Sequence, residues 1–287
     1  MPELPEVETI RLGLAPHLAG ARLVRVVARR PDLRFPLPEG FAQRLTGARV
    51  GDLGRRGKYI LAPLDRGDTL VMHLGMTGRF VVEAGGPPEA PGQTALAAPA
   101  DPKHAHIIFE TEAGVSLTYF DARRFGFMDL VATDVLGSHP RFARMGPEPL
   151  GDSFDAGHLA RAFAGRRQCA KTLLLDQSLV AGLGNIYVCE ALHRARISPV
   201  KPAGEVGLPA LAVLVSAVRE VLAAAIVAGG STLRDYASVD GTTGYFQHDF
   251  RVYGREGEAC PTKRCQGIVA RTVQAGRSTF YCPVCQT

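Results

Sequence analysis

Four of the six cysteines lie after position 259, and their spacing is the strongest constraint on what this chain can fold into. Cys260, Cys265, Cys282 and Cys285 form the pattern C-x4-C-x16-C-x2-C. Two thiolate pairs separated by an insert of hairpin length match a closed tetrahedral zinc site, which has no open position for a catalytic water. A disulfide framework would suit a small secreted domain, which this chain is not. We therefore predict one structural Zn²⁺ ion.

The residues between the two cysteine pairs predict a hairpin. Apolar stretches at 268–273 and 278–281 are typical of paired strands, and residues 274–277 form the turn signal between them. This prediction places Arg277 at the tip of the hairpin. A finger this small buries little, so its expected use is to present its tip to another molecule.

The charge balance favours a polyanionic partner. The chain has 287 residues with 33 Lys+Arg against 28 Asp+Glu, a formal net charge of +5. The bases are clustered, with ten in residues 22–58 against three acids, so nucleic acid is one interpretation and an ordinary solvated surface is the other. The longest uncharged runs have 13 residues, fewer than the roughly 20 that a membrane span requires, and the N-terminus is acidic rather than basic. We expect a cytoplasmic protein without a membrane span.

At about 150 residues per domain, the length predicts two domains. The pattern of apolar residues divides the chain into a strand-rich part followed by a helix-rich part. A helical stripe covers residues 3–18, and short apolar runs up to about residue 132 indicate an antiparallel sandwich or barrel. Residues 84–101 are rich in Pro, Gly and Ala and predict a loop. Helices are then expected at 155–164, 171–177, 186–195 and 208–228, and residues 231–245 predict a second loop.

The N-terminus carries the first candidate for chemistry. If Met1 is removed, Pro2 presents a secondary amine, whose attack on a sugar C1′ or an aldehyde gives a cationic iminium. Glu3 is adjacent and Glu6 lies one helical turn later, so both carboxylates are candidates for acid–base work. The alternative is a capped helix start with acids near its positive end.

A glycine-rich turn at 182–185 precedes the helix expected from residue 186. Asn185 suits the N-cap position, where exposed N–H groups and the helix dipole form an anion site. A tight turn without a ligand is the alternative.

Motifs along the whole chain resemble those of the bacterial formamidopyrimidine-DNA glycosylases. In order they are M-P-E-L-P-E-V-E-T at the N-terminus, R-R-G-K-Y at 55–59, H-L-G-M-T-G at 73–78, K-H-A-H at 103–106, D-A-R-R-F-G at 121–126, M-G-P-E-P-L at 145–150, L-D-Q-x-x-V-A-G-L-G-N-I-Y at 175–187, G-G-S-T-L-R-D-Y at 229–236 and the cysteine set. Leu4 favours the purine-lesion branch over the related endonuclease VIII branch, which typically has Gly there.

This resemblance implies a base-excision repair enzyme, a bifunctional DNA glycosylase and AP lyase. Its substrate would be damaged double-stranded DNA that contains 8-oxoguanine or formamidopyrimidines, and the strand would be cleaved by β- and δ-elimination. Pro2 would be the Schiff-base nucleophile and Glu3 the general acid, with Glu6 nearby. Lys58 would serve β-elimination, and Arg277 would contact phosphate and assist δ-elimination.

The resemblance also implies a set of DNA contacts. Asn185 would hold phosphates beside the lesion, and Met76, Arg123 and Phe125 would fill the space that the extruded base leaves. The loop at 231–245 would close over that base. Further contacts are expected at His73, His104 and Arg167.

The fold implied is α+β and multidomain. An N-terminal antiparallel β-sandwich with a leading helix would occupy residues 1–136, a helix–two-turn–helix domain 137–246 and a β-hairpin zinc finger 247–287. We expect a monomer that associates with the nucleoid when bound to DNA. The C-x4-C pair departs from the C-x2-C that is common in the family, and we expect zinc binding to survive the longer loop.

Two alternative hypotheses compete with that of a DNA glycosylase and AP lyase. A non-catalytic, zinc-dependent DNA-binding protein would keep Met1 and never expose the Pro2 amine. A small-molecule enzyme that uses an N-terminal proline as base, as the tautomerases do, would leave the cysteine hairpin and the clustered arginines without a use.

Overall fold

The computed structural model describes residues 2–83, 101–231 and 244–287, which form two compact units. The first unit comprises Met1–Ala143 with Ala228–Tyr245, and the second comprises Arg144–Val227 with Phe246–Thr287. Met1 and nearly all of the two predicted loops, at 84–101 and 231–245, lie outside the described residues.

Helix α1 opens the first unit and spans Leu4–Leu18. Its apolar side chains at positions 4, 7, 10, 14 and 18 are all buried, which confirms the helical stripe in the sequence. Pro5 lies in the first turn, where its missing N–H leaves no hydrogen bond unmade.

Two four-stranded antiparallel sheets form the rest of this unit, in the orders β1-β6-β7-β5 and β2-β3-β4-β8. One buried cluster draws side chains from both sheets and from α1, so the predicted antiparallel sandwich is confirmed. The described strands are β1 (Leu23–Ala28), β2 (Gly54–Arg56), β3 (Tyr59–Pro63), β4 (Asp68–His73), β5 (Arg79–Glu83), β6 (Ala105–Thr111), β7 (Ser116–Phe120) and β8 (Phe127–Ala132). The short apolar runs in the sequence did not include β2, which has no apolar side chain, and they did not predict the short helix α2 (Phe41–Leu45).

The second unit is helical and ends in a two-stranded hairpin. Its elements are α3 (Ala156–Phe163), α4 (Ala170–Leu174), α5 (Asn185–Arg194), α6 (Leu208–Val227), β9 (Ala270–Gln274) and β10 (Arg277–Tyr281). The expected helix at 171–177 is wrong at its C-terminal end, because α4 stops at Leu174 and Leu175 is its C-cap. Helix α6 ends before Gly229 and Gly230, both with positive φ, the conformation in which glycine commonly terminates a helix.

Helix α6 is long and apolar enough to cross a membrane by length and composition alone. The uncharged runs in the sequence did not predict a helix of this length, because they are interrupted by Arg219 and Glu220, which lie inside the helix. Both charges are used within the unit, since Arg219 donates to the carbonyls of Gly151 and Phe154 and Glu220 pairs with Arg194. Eight residues of α6 are buried, which is how the core helix of a folded domain behaves.

The hairpin has a tighter turn than the sequence predicted. Gln274 pairs directly with Arg277, and the turn consists of Ala275 and Gly276, both with positive φ. This is the two-residue geometry that matches the twist of the flanking strands. Arg277 is therefore not at the tip but is the first residue of β10, where it is exposed.

Candidate active site

Helix α1 fixes the position of the N-terminal residues. Glu3 is its N-cap and is 4% exposed, and the half-buried Pro2 precedes it. The backbone N–H of Glu3 donates to Oε2 of Glu6 at 2.9 Å, which is half of a capping box. The direction in which the chain leaves Pro2 is therefore set by the first turn of the helix.

The second oxygen of Glu6 holds a distant segment. Its Oε1 accepts hydrogen bonds from the backbone N–H of Ser231 at 2.8 Å and from the Ser231 hydroxyl at 3.0 Å. Ser231 also forms a bridge with Tyr245, whose N–H donates to the carbonyl of Ala228. Glu6 thus joins the start of α1 to the two ends of segment 232–243, which itself lies outside the described residues.

Lys58 lies in the turn between β2 and β3 and is 8% exposed. Glu8 ties this hairpin to α1, because its Oε2 accepts from Nε of Arg55 at 2.9 Å. Arg11, one helical turn after Glu8, pairs with the same carboxylate at 2.6 Å and donates to the carbonyl of Leu53 at 2.9 Å. The helix that carries Pro2 and the hairpin that carries Lys58 are therefore connected through one carboxylate.

The electrostatics of Glu8 follow from this arrangement. Burial would by itself raise its pKa, but hydrogen bonds and positive charges from Arg11 and Arg55 outweigh burial and lower the pKa below the ordinary value of 4.5. Glu8 is consequently ionised in the folded protein, and protonation weakens the connection between helix and hairpin.

We expect Glu8→Gln to lower the free energy of unfolding at neutral pH by about 1.5–3 kcal/mol, the contribution of a hydrogen bond to a charged group. Because the folded pKa is depressed, this stabilisation is complete above the unfolded value and is lost as pH falls through the folded value. In thermal melts from neutral to acidic pH, the melting temperatures of wild type and Glu8→Gln should therefore converge as the pH falls. Glu112→Gln, which breaks an exposed pair with Arg49 at 3.4 Å, is the matched control and should change little. Equal melting temperatures for Glu8→Gln and wild type at neutral pH would contradict this account.

His73, at the end of β4, is prepared as a neutral hydrogen-bond donor. Its ring stacks on Phe127 with centroids 5.3 Å apart, and its Nδ1 accepts the N–H of Gly75 at 3.1 Å. In the neutral ring the proton is therefore on Nε2. Burial, and then the positive charges of Lys58 and two arginines, lowers the pKa of His73 to about 4. This side chain is neutral at physiological pH.

Three exposed side chains predicted to enter the DNA lie on two neighbouring loops. Met76 is 37% exposed and Phe125 is 41% exposed. The Arg123 guanidinium lies 4.7 Å from the centroid of the Phe125 ring. The structure therefore brings Arg123 and Phe125 into one stacked pair.

Asp121 holds these two loops together and is fully buried. Its Oδ1 accepts from the Thr77 hydroxyl at 2.5 Å, and its Oδ2 accepts the N–H of Gly126 at 2.7 Å. A Cβ at Gly75 would overlap the backbone of residues 125 and 126, so the loops meet closely enough to require glycine there. His104 lies beside this point, because its carbonyl accepts the N–H of Asp121.

In the second unit, two side chains converge on the backbone of β10. Lys171, which is fully buried, donates to the Ser278 carbonyl at 3.3 Å and to the Thr279 hydroxyl at 2.7 Å. Asn185 donates to the same Ser278 carbonyl at 2.9 Å. Arg277 precedes Ser278 in β10 and pairs with Gln274 of β9, so it is adjacent to a strand position that is held from two sides.

The predicted N-cap role of Asn185 is wrong. Gly184 is the N-cap of α5, and Asn185 is the first helical residue, with its amide turned towards β10. Arg167 is exposed between α3 and α4.

Sequence reasoning also missed Lys171, Asp121 and Ser231. Lys171 could have been noticed as a lysine in a predicted apolar helix. Asp121 and Ser231 lie within the family motifs at 121–126 and 229–236.

The four cysteines of the C-x4-C-x16-C-x2-C pattern form one cluster, in which all sulfurs lie within 4.8 Å of one another. The Cys260–Cys285 and Cys265–Cys282 Sγ atoms are 3.7 and 3.6 Å apart. Tetrahedral zinc with bonds of about 2.3 Å separates its sulfurs by about 3.8 Å, so the donor set and its spacing fit Zn²⁺. The protein has a structural zinc site, as predicted, and the longer first loop does not open it.

Comparison with known proteins covers nearly the whole chain. Residues 1–128 match the formamidopyrimidine-DNA glycosylase N-terminal domain, residues 145–237 match the H2TH domain of the same glycosylase, and residues 257–287 match a zinc finger found in FPG and IleRS. Fold, zinc finger and domain order thus define a zinc-containing glycosylase of the helix–two-turn–helix class.

Named relatives give the particular family. Over all of both chains, the sequence is 66% identical to the formamidopyrimidine-DNA glycosylase of Phenylobacterium zucineum and 65% identical to that of Caulobacter vibrioides. A Lactococcus lactis FPG mutant in complex with Fapy-dG-containing DNA is 34% identical with a TM-score of 0.85, with both chains fully covered. The MutM (Fpg) protein of Thermus thermophilus is 41% identical with a TM-score of 0.83, covering 99% of this chain and 98% of that one. The chain belongs to the formamidopyrimidine-DNA glycosylase family.

Proposed function

We propose that this enzyme removes oxidised purines, chiefly 8-oxoguanine and formamidopyrimidines, from duplex DNA and then cleaves the strand by β- and δ-elimination. As a member of its family, the chain is a DNA-repair glycosylase and AP lyase, not a non-catalytic binding protein. The observation that carries the proposal for the site is the fixed start of α1, where Glu6 orients the Pro2-Glu3 pair and also holds Ser231.

In the first step Glu3 protonates the departing base while the lone pair of the Pro2 amine forms a bond to C1′. The bond from C1′ to the base breaks, and the proton that the amine gives up passes to O4′ as the C1′–O4′ bond opens, which leaves a cationic iminium. Both oxygens of Glu6 accept hydrogen bonds from Glu3 and Ser231, so we assign Glu6 a positioning role. This revises its expected place beside Glu3 as an acid or base.

The iminium then withdraws electrons from C2′, whose proton is lost to water, and a C2′–C3′ double bond forms as the C3′–O bond breaks and the 3′ phosphate departs with its electrons. We assign Lys58, held against α1 through Arg55 and Glu8, to this β-elimination. Arg277 would bind the second phosphate and assist its departure, since its planar guanidinium suits phosphate and the carbonyl of the adjacent Ser278 is held by Lys171 and Asn185.

Extrusion of the damaged base costs a few kcal/mol of stacking and pairing. We propose that Met76, Arg123 and Phe125 occupy the vacated space and stabilise the kinked duplex. Asp121 serves them by fixing both loops, so that apolar side chains stay exposed before DNA arrives. Glu6 holds Ser231, the first residue of the segment at 231–245, of which residues 232–243 lie outside the described part of the chain.

Phosphate contacts complete the proposed interface. His73 would donate to phosphate from its neutral Nε2, and His104 and Arg167 would each contact the DNA backbone. Asn185 uses one amide proton for Ser278, while the other faces the Tyr253 hydroxyl at a long 3.4 Å and is the one we assign to phosphate.

At the level of the whole chain, we propose three functional parts at 1–136, 137–246 and 247–287. The enzyme would act as a monomer in the cytoplasm and associate with the nucleoid through its DNA substrate.

Glu3→Gln should separate the two reactions. On a duplex with a single 8-oxoguanine opposite cytosine, we expect base release to slow by about 10²–10⁴-fold, the usual contribution of a positioned acid. Strand cleavage at a preformed abasic site needs no leaving base and should persist within about tenfold. Gel electrophoresis of end-labelled DNA measures both.

Glu39→Gln, a substitution in the loop before α2, is the control and should leave both rates unchanged. Equal loss of both activities in Glu3→Gln would contradict the general-acid assignment. Wild-type enzyme that leaves the 8-oxoguanine duplex intact would contradict the proposed substrate class.

A further inference from the structure

One face of α5 is directed at the zinc finger. Glu190 accepts the backbone N–H groups of residues 251, 252 and 253 at 2.8–3.0 Å, and it is 3% exposed. Beside it, Cys189 packs against Val252 and Val269 in a small apolar cluster. His193, one turn after Glu190, lies at the cysteines themselves.

His193 is 2% exposed, and its Nε2 lies 3.5 Å from Sγ of Cys260 and 3.3 Å from the Thr262 hydroxyl oxygen. Among the described residues its Nδ1 is buried without a hydrogen-bond partner. A buried N–H without an acceptor is costly. The single proton of the neutral ring therefore belongs on Nε2, where a sulfur and an oxygen can accept it.

Thr262 belongs to the four-residue loop between Cys260 and Cys265. Its hydroxyl is also 3.8 Å from Sγ of Cys285, within reach of a weak hydrogen bond to sulfur. A donor on the helix and a hydroxyl on the loop therefore lie against two of the four sulfurs.

We propose that His193 is an outer-sphere positioning residue of the zinc site, which donates its Nε2–H to the Cys260 thiolate and is assisted by the hydroxyl of Thr262. Four thiolates on Zn²⁺ carry a net charge of −2, and hydrogen-bond donors spread this charge over the protein. The donor comes from α5 rather than from the finger. Retention of zinc therefore depends on the packing of the finger against that helix.

The test compares His193→Phe, which keeps an aromatic ring without a donor, with His193→Gln, whose Nε2 can still donate. The zinc release rate of the intact protein is measured with a metallochromic chelator in excess. Removal of an outer-sphere donor costs about 10–100-fold in metal affinity. We expect His193→Phe to release zinc faster by about that factor and His193→Gln to stay within about threefold of wild type.

The absorption spectra of the cobalt-substituted proteins provide a measurement that loss of packing alone would not change. A thiolate without its donor is easier to oxidise, so the sulfur-to-cobalt charge-transfer bands of His193→Phe should move to longer wavelength. His158→Phe is the matched control, because it removes a histidine hydrogen bond to the Leu179 carbonyl in the same unit without touching a cysteine.

Wild-type release rate and spectrum in His193→Phe would overturn the proposal, and so would a His193→Gln protein as defective as His193→Phe. If His193→Phe does not fold, the proposal is tested by NMR on the wild-type protein, in which NMR-active cadmium replaces zinc. A scalar coupling between the metal and the Nε2 proton of His193 supports the proposal, and a ring protonated on Nδ1 overturns it.

Discussion

Cys282→Ser should abolish binding of lesion-containing duplex while the N-terminal unit stays folded. Cys282 is fully buried, and the strands that carry Arg277 bury few other side chains. The finger therefore depends on zinc for its structure, as small metal-bound domains usually do. Without it, Arg277 loses its fixed position, and Asn185 loses the Ser278 carbonyl that orients its amide. Two lost phosphate contacts at about 1.5–3 kcal/mol each correspond to about 10²–10⁴-fold in affinity.

Fluorescence anisotropy of labelled duplex, at one stated salt concentration, measures this affinity. Cys169→Ser is the matched control, because Cys169 lies outside the zinc cluster and a serine hydroxyl can keep its hydrogen bonds with Thr172 and Gln274. Chelation of zinc from wild-type protein should reproduce the Cys282→Ser result. Retained affinity after either treatment would contradict the role of the finger as a DNA clamp.

An N-terminal extension that converts the Pro2 amine into a peptide bond should eliminate both chemical steps. An amide nitrogen is not a nucleophile, so we expect base release and strand cleavage to fall by at least about a thousandfold. Binding of DNA should change much less, because the proposed phosphate contacts lie elsewhere in the chain. Single-turnover assays give the rates, and anisotropy gives the affinity.

Proteolytic removal of the extension provides the internal control for this experiment. If the same preparation regains activity once Pro2 is again the first residue, the loss was chemical and not a folding defect. Full activity with the extension in place would contradict the assignment of Pro2 as nucleophile.

The sequence predicted elements whose pattern is local. Helix α1 and most strands of the sandwich follow from apolar spacing, and the cysteine spacing gave the zinc site. Strand β2 was missed because it has three residues, Gly54, Arg55 and Arg56, with no apolar alternation. The hairpin turn was misplaced because Gln274 and Arg277 are polar residues that pair as strand partners, which only the register reveals.

The supporting contacts of the site could not be predicted because their partners are far apart in the chain. Ser231 is 225 positions from Glu6, and Lys171 is 108 positions from Thr279. Motifs marked the residues proposed to touch DNA, but not the buried groups that hold them. Asn185 illustrates this limit, since its motif predicted a helix cap and the fold instead turns its amide to β10.

The central claim is that Pro2 forms a Schiff base with the sugar of an oxidised purine nucleotide, and borohydride trapping tests it most directly. Enzyme is mixed with a duplex that contains one 8-oxoguanine opposite cytosine, reduced with borohydride and digested, and the adduct is mapped by peptide mass. We expect a covalent DNA adduct on a peptide that begins with Pro2. An adduct on a lysine such as Lys58, or none while DNA binding persists, would contradict it.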